Sequence, residues 1–326
     1  MTQAPAPLFQ DVAGGPPGGA ACWADTADGV RIRIGIWPAQ ATERGTVLLF
    51  PGRTEYIEKY GALAGELARR GFGTLAVDWR GQGLAQRLLD DRRIGHVRRF
   101  RDYQHDVAAV LGVARAQGLA QPFHLLAHSM GGCIGLRAAL DGLPVQSCAF
   151  TGPMWGIALS PAMRALARVM AAAAPPLGLG GRLTPNSAPE NYVQVQGFND
   201  NLLTTDPDMY AMMQDQLAAH PELGLGGPSL LWLREALGEC RALARRPSPA
   251  LPCITFLGGN ERIVDSNAVR TRMAAWPGGT LDEIAGAEHE VLMETPAIRA
   301  HVLDRLEAHF TPRDAGVPGG RPDMAH

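Results

Sequence analysis

The sequence predicts an α/β fold with a mostly parallel central sheet, helices on both faces and an inserted helical lid. Three observations carry that expectation. Short apolar runs alternate with helical patterns along most of the chain, the signature of strands connected through helices. The alternation stops near Pro153 and resumes after Pro249, an interval too long for a simple connection inside one compact domain. The 326 residues, 46% of them hydrophobic, suit one large domain with an insertion or two of ordinary size, and the interrupted alternation favours the first.

Taken in order, residues 1–20 are rich in Pro, Gly and Ala with little to bury, and read as a flexible arm. Asp28-Gly29 marks a hairpin turn between strands Cys22–Thr26 and Val30–Trp37. The run Gly45–Phe50 (GTVLLF) is a buried strand, Tyr56–Arg70 a helix stopped by Gly71, and Gly73–Trp79 the next strand. A helix over Phe100–Gln117 closes near Gly118 and leads to the strand Phe123–Ala127. Another helix follows Ser129 through Leu140, and Ser147–Thr151 is again a strand. Residues 153–249 form the lid. Strand Cys253–Gly258, helix Ser266–Ala275, strand Thr280–Ile284 and a last amphipathic helix Ala297–Phe310 complete the pattern. The core thus comprises 21–152 and 250–311, with 312–326 as a flexible tail. There is no internal repeat.

Composition excludes several function classes. The formal net charge of −2, from 30 basic and 32 acidic residues, leaves no electrostatic footprint for a nucleic acid. Lys59 is the only lysine, and no phosphate-binding GxxxxGK[ST] surrounds it, which also argues against Schiff-base chemistry. The most apolar stretch, Met163 to Gly181, is broken by Arg164, Arg168 and Pro175-Pro176, so no membrane span is expected. The N-terminal segment lacks the basic and apolar regions of a signal peptide. Five scattered cysteines without a CxxC pair argue against zinc or a disulfide framework and fit a reducing cytoplasm, each read as a small buried hydrophobe. Arg92, Arg93, Arg98, Arg99 and Arg101 would suit an anionic head group or the inner membrane face as a peripheral contact. The interleaved Asp90, Asp91 and Asp102 favour an ordinary solvated loop instead.

The chemistry concentrates in FHLLAHSMGG. A buried strand ends there in a sharp turn carrying Ser129, and a helix starts directly behind it. Ala127 and Gly131 supply the small residues two before and two after the serine, as in a G-x-S-x-G nucleophile elbow with alanine first. Such a serine needs a base oriented by an acid, in the chain order serine, acid, histidine. His289, in GAEHEV after the last strand, is the base. His124 lies in a strand, His105 and His301 on helices and His326 in the tail. His128 adjoins the serine and is read as a wall of the site. HEVLM lacks the second histidine of a zinc-binding H-E-x-x-H. The acid is sought in GGNERIVDS, where Glu261 is preferred by loop position and Asp265, able to cap the next helix, is the alternative. The N–H groups of Met130 and of Arg53, in the Pro51-Gly52-Arg53 loop, are the oxyanion donors. GFGTLA (71–76) precedes a strand, so it is a helix stop and not a dinucleotide fingerprint.

These pieces together resemble the lysophospholipase and monoacylglycerol lipase family of α/β-hydrolases. FPGRTEYIEKY, DWRGQG, FRDYQHDV, AHSMGG, GGNERIVDS and GAEHE stand in the family's order, and NDNLLTTDPDMY and PSLLWLREAL resemble its lid less specifically. The resemblance implies Ser129 as nucleophile, His289 as base, Glu261 where the family places its acid, and Arg53 and Met130 as backbone donors. Pro51 in place of the loop's usual histidine and Ala127 in place of the elbow glycine depart from the pattern without removing a catalytic group. It also implies a cofactor-free, metal-free serine esterase acting on a lysophospholipid, monoacylglycerol or similar acyl ester. Trp155, Met163, Met170, Met209, Met212, Met213 and Trp232 are lid candidates for the acyl site, with Trp155, Met209 and Trp232 foremost. A peptidase, a C–C hydrolase or a non-catalytic binding protein on this fold are the alternatives.

Overall fold

The computed structural model describes residues 4–160, 165, 170, 176–185 and 187–311; Met163 and the tail 312–326 lie outside them. Nine strands form one sheet in the order β1-β2-β3-β5-β4-β6-β7-β8-β9. They are β1 (Pro5–Ala6), β2 (Ala20–Asp25), β3 (Arg31–Trp37), β4 (Gly45–Phe50), β5 (Phe72–Asp78), β6 (Phe123–His128), β7 (Ser147–Thr151), β8 (Cys253–Gly258) and β9 (Thr280–Ile284). Pairings from β1 through β3 to β5 are antiparallel, and every pairing from β5 through β4 to β9 is parallel. This is the open, mostly parallel sheet that the alternation predicted. Its central strands read as continuous apolar runs because both faces are covered: β4, β6, β7 and β8 are buried at every position. The edge strand β9 is largely half-exposed and carries Asp282 and Glu283.

One face of the sheet packs against helices Tyr103–Ala116, Ser129–Leu140 and Ser266–Ala274, through residues such as Val110, Ile134, Val269 and Met273. The other packs against Gly61–Arg69 and Pro296–Phe310, through Leu63, Leu67, Val302 and Leu306. Between β7 and β8 the chain forms helices Tyr192–Val195, Pro207–Ala219 and Leu230–Ala244. No helix among the described residues is long and apolar enough to cross a membrane. All five cysteines are buried and unbridged.

Two expectations need correction. The first is small: the helix over Tyr56–Arg70 opens as a 3₁₀ turn at Ile57–Tyr60 before the α-helix begins at Gly61. The second is larger. Residues 4–20 of the expected flexible arm are ordered instead, because β1 pairs with β2 and Gln10–Ala13 is helical with Ala13 buried. Polar anchors on other elements hold this segment. Buried Arg33 donates to the Pro7 carbonyl at 2.9 Å and, through two nitrogens, to Glu58. Glu58 also accepts from the Phe9 N–H, and the Phe9 ring stacks on His220.

The topology sets the position of the site. From β4 the chain runs to β5 on one side, then crosses back to β6 on the other, so the sheet order reverses at the β4–β6 pair. Loops leaving the carboxyl ends of two such strands diverge and open a crevice between them. Phe50 pairs with Ala127 and His128 with Thr151, which brings the loop after β4, the turn after β6 and the exit of β7 side by side.

Candidate active site

Ser129 sits at the mouth of that crevice with φ +49°, a left-handed conformation that strains a non-glycine residue. Strand β6 ends one residue before it and the helix Ser129–Leu140 begins on it. The turn is sharp because the helix lies almost against the β4 loop. A Cβ at Gly131 would stand 2.0 Å from the Phe50 carbonyl oxygen, so only glycine fits. The Ser129 carbonyl accepts from the Met154 N–H at 2.8 Å, and Trp155 Nε1 donates to the Gly132 carbonyl at 3.1 Å. Met130, in the first turn of the helix, has an N–H without an intrahelical acceptor.

His289 lies in the loop after β9, and its Nδ1 is 2.6 Å from Glu261 Oε2. Both side chains are almost fully buried, at 4% and 1% exposure. The other Glu261 oxygen accepts the N–H groups of Ile263 at 2.7 Å and Val264 at 3.0 Å. Burial alone would push the Glu261 carboxyl up. The facing His289 and the two N–H groups outweigh it and hold the carboxyl below its ordinary value. Asp265 does something else: its carboxylate accepts from Asn267 and Ala268 N–H and caps the helix Ser266–Ala274. The ring of His289 rests against Gly152, where a Cβ would come within 2.9 Å of Nδ1. Its loop hangs on the chain between β7 and β8, since the Glu290 N–H donates to the Leu203 carbonyl at 2.8 Å.

The β4 loop is fixed from both sides. Trp79 Nε1 donates to the Pro51 carbonyl at 2.9 Å and Gln82 Nε2 to the Gly52 carbonyl at 2.8 Å, which gives DWRGQG a structural purpose. The Gly52 N–H is committed to Glu55 Oε2, whereas the N–H of Arg53 meets no acceptor among the described residues.

Beneath this loop lies a charge cluster that sequence reasoning missed. The ammonium of Lys59 donates to Glu55 at 2.5 Å and to Glu290 at 2.7 Å, and Tyr60 donates its hydroxyl to Glu55 at 2.5 Å. His128 closes the cluster, with Nε2 3.4 Å from Glu290 and Nδ1 3.0 Å from the Thr151 carbonyl and hydroxyl oxygens. Its ring centroid is 4.8 Å from that of His289. Burial disfavours every charge here. Glu290 and Glu55 nevertheless raise the pKa of Lys59 and that of His128, and Lys59 and His128 hold Glu290 well below the carboxylate range. Glu55, His128 and Glu290 lie close enough to ligate a cation, within 4.8 Å of one another. The Lys59 ammonium already binds both carboxylates. The available signals were Lys59 being the only lysine and Glu290 following the histidine directly; neither identifies a partner.

Ser129, Met130, Arg53, His128 and His289 all line one cavity of about 320 Å³. Its walls are otherwise mainly apolar, including Met154, Ile157, Leu202, Leu203 and Leu217. Of the lid candidates, Trp232 and Met213 line it. Trp155 does not: it is buried in the core, stacked on Trp276 at 6.2 Å and edge-on to Phe150. Met209 packs against the core cluster containing Tyr60, Val291 and Met293. For these two the reading of an acyl contact is corrected. Both are apolar, and each spends that character on the interior.

The Hydrolase_4 family model, described as "Serine aminopeptidase, S33", matches residues 41–296. Lysophospholipase L2 of Escherichia coli strain K12 is 34% identical over 295 residues, covering 87% of this chain and 85% of that protein. The monoacylglycerol lipase of Mycolicibacterium smegmatis is 24% identical over 242 residues, or 72% of this chain and 77% of the relative. Among solved structures, a soluble variant of monoglyceride lipase from Saccharomyces cerevisiae in complex with a substrate analogue superposes with a TM-score of 0.68. It is 20% identical and covers 88% of this chain and 93% of its own. That likeness concerns the fold.

Proposed function

The chain belongs to the Hydrolase_4 family of α/β-hydrolases, and from that premise we propose that it hydrolyses carboxylic esters of lipid alcohols through an acyl-enzyme. The observation that carries this reading is the 2.6 Å contact between His289 and Glu261, with His289 lining the same cavity as Ser129. Ser129 Oγ attacks the ester carbonyl while His289 Nε2 takes its proton, and the negative oxygen is received by the N–H groups of Arg53 and Met130. Glu261, held below its ordinary pKa, stays ionised and stabilises the imidazolium. His289 then returns the proton to the leaving alcohol, and a water activated by the same imidazole releases the acid. The helices between β7 and β8 act as a lid whose apolar wall, with Trp232, Met213 and Leu217, receives the acyl chain. The relatives' names point to lysophospholipids or monoacylglycerols as the substrate class.

A serine-directed fluorophosphonate probe tests the nucleophile. Labelling of the native chain that disappears in Ser129→Ala supports the reading, and a native chain that does not label removes it. A series of p-nitrophenyl esters of rising chain length, set against an aminoacyl amide, tests the bond cleaved. Preference for the longer esters is expected. Faster cleavage of the amide would replace the esterase by a peptidase.

A further inference from the structure

Resting on that esterase reading, we propose that the Arg53 guanidinium is an anion site that selects esters carrying a phosphodiester on the alcohol, lysophospholipids over monoacylglycerols. Arg53 lines the cavity that Ser129 and His289 share, and this cavity is mainly apolar elsewhere. Among the described residues no carboxylate stands within ion-pair distance of the guanidinium. Its recorded contacts are a donation from Nη1 to the Gly226 carbonyl at 2.7 Å and the Trp232 ring, whose centroid lies 5.7 Å from Cζ. Neither contact neutralises a cation.

The guanidinium is also held in place. Gly226 and Trp232 both belong to the chain between β7 and β8, and the loop at Gly95 closes the third side, donating its N–H to the Gly227 carbonyl at 2.9 Å. Burial pushes its pKa down to about 10, with Tyr103 acting in the opposite sense. It is therefore still a cation at neutral pH, desolvated and without a counter-charge. An arginine so placed gains most from an anionic oxygen group, which its planar fork can grip through two hydrogen bonds. The same residue offers its backbone N–H to the ester oxyanion, so the anion it prefers lies one side-chain length from the reacting carbonyl. A phosphodiester on a glyceryl ester meets that condition, being separated from the ester by a three-carbon alcohol. A monoacylglycerol has only hydroxyl groups there.

A structural alternative assigns Arg53 nothing beyond tethering Gly226, and the test separates the two. Lysophosphatidylethanolamine and monoacylglycerol of the same acyl length, both below micelle formation, are compared as substrates for the native chain, Arg53→Met and Arg53→Lys. The native chain is expected to favour the phosphodiester in kcat/KM. The ratio should fall roughly ten- to hundred-fold in Arg53→Met and only partly in Arg53→Lys. Equal losses on both substrates, or an unchanged ratio, would overturn the proposal. Calorimetric titration of Ser129→Ala with the same two lipids reads the anion site apart from the chemistry. Tighter binding of the phosphodiester supports it and equal binding overturns it. Failure of the native chain to hydrolyse either lipid would instead remove the esterase reading, leaving the binding result to decide the anion site.

Discussion

Lys59 and Arg53 stand on either side of one loop and are opposite in kind. Lys59 is buried beneath the loop with a carboxylate on each side, Glu55 and Glu290, and so joins the β4 loop to the histidine loop. Arg53 lines the cavity, and its guanidinium meets a backbone carbonyl and an indole. The two are cations of one segment, Lys59 buried and Arg53 half-buried. Their difference lies in their partners, and it separates their roles: a paired charge spends its energy inside the fold, and an unpaired one keeps it for a ligand. The same distinction divides the acids. Asp265 caps a helix, whereas Glu261 faces His289.

The largest effect should come from Glu261→Gln. It is expected to lower kcat roughly 10⁴-fold, the scale seen when the acid of such a triad is removed, with a smaller change in melting temperature. A loss under tenfold, with Asp265→Ala losing far more, would exchange the two roles. Lys59→Met leaves two buried carboxylates facing each other, and a destabilisation of about 3–5 kcal/mol is expected in urea unfolding. Its remaining activity should fall alike on charged and neutral esters; a change confined to phosphodiester substrates would erase the contrast with Arg53. Asp265→Ala should cost about 1 kcal/mol of stability, the usual worth of a helix N-cap, and leave kcat nearly unchanged.

The smallest effect concerns pH. Glu290 and Glu55 raise the pKa of His128 above 6.5, while burial beside His309 lowers that of His124 to about 4. Proton NMR of the histidines should find these two titrating on opposite sides of the ordinary range. For His128 the folded value is the higher one, so its contribution to stability is complete below about pH 6.5 and disappears as pH rises through the folded value. His128→Asn should remove that part of the pH slope. A native His128 titrating below 6.5 would mean that burial outweighs the two carboxylates.

Much of this architecture was legible because it follows from pattern. The central parallel strands are mostly apolar and buried throughout, and the elbow around Ser129 needs small residues at fixed offsets. What the pattern did not reveal was pairing. Nothing local to Glu58 announces that it receives Arg33 and the N–H of Phe9, yet those bonds turn a Pro- and Gly-rich beginning into an ordered part of the sheet. Nothing in Lys59 alone predicts Glu290, far along the chain. The apolar candidates Trp155 and Met209 failed for a related reason. Met154 lines the cavity and its neighbour Trp155 turns into the core, a choice made by tertiary packing after β7 that composition does not encode.

The bonds between the histidine loop and the helical insertion also define a unit of exchange. Leu202 and Leu203 accept the N–H groups of His289 and Glu290, Thr204 donates to the Met293 carbonyl and Thr205 to Glu294. An insertion borrowed from a relative to change substrate preference would sever these bonds and leave His289 on an unsupported loop. Chimeras should therefore transplant residues 288–294 together with the helices, treating two stretches distant in sequence as one heritable module.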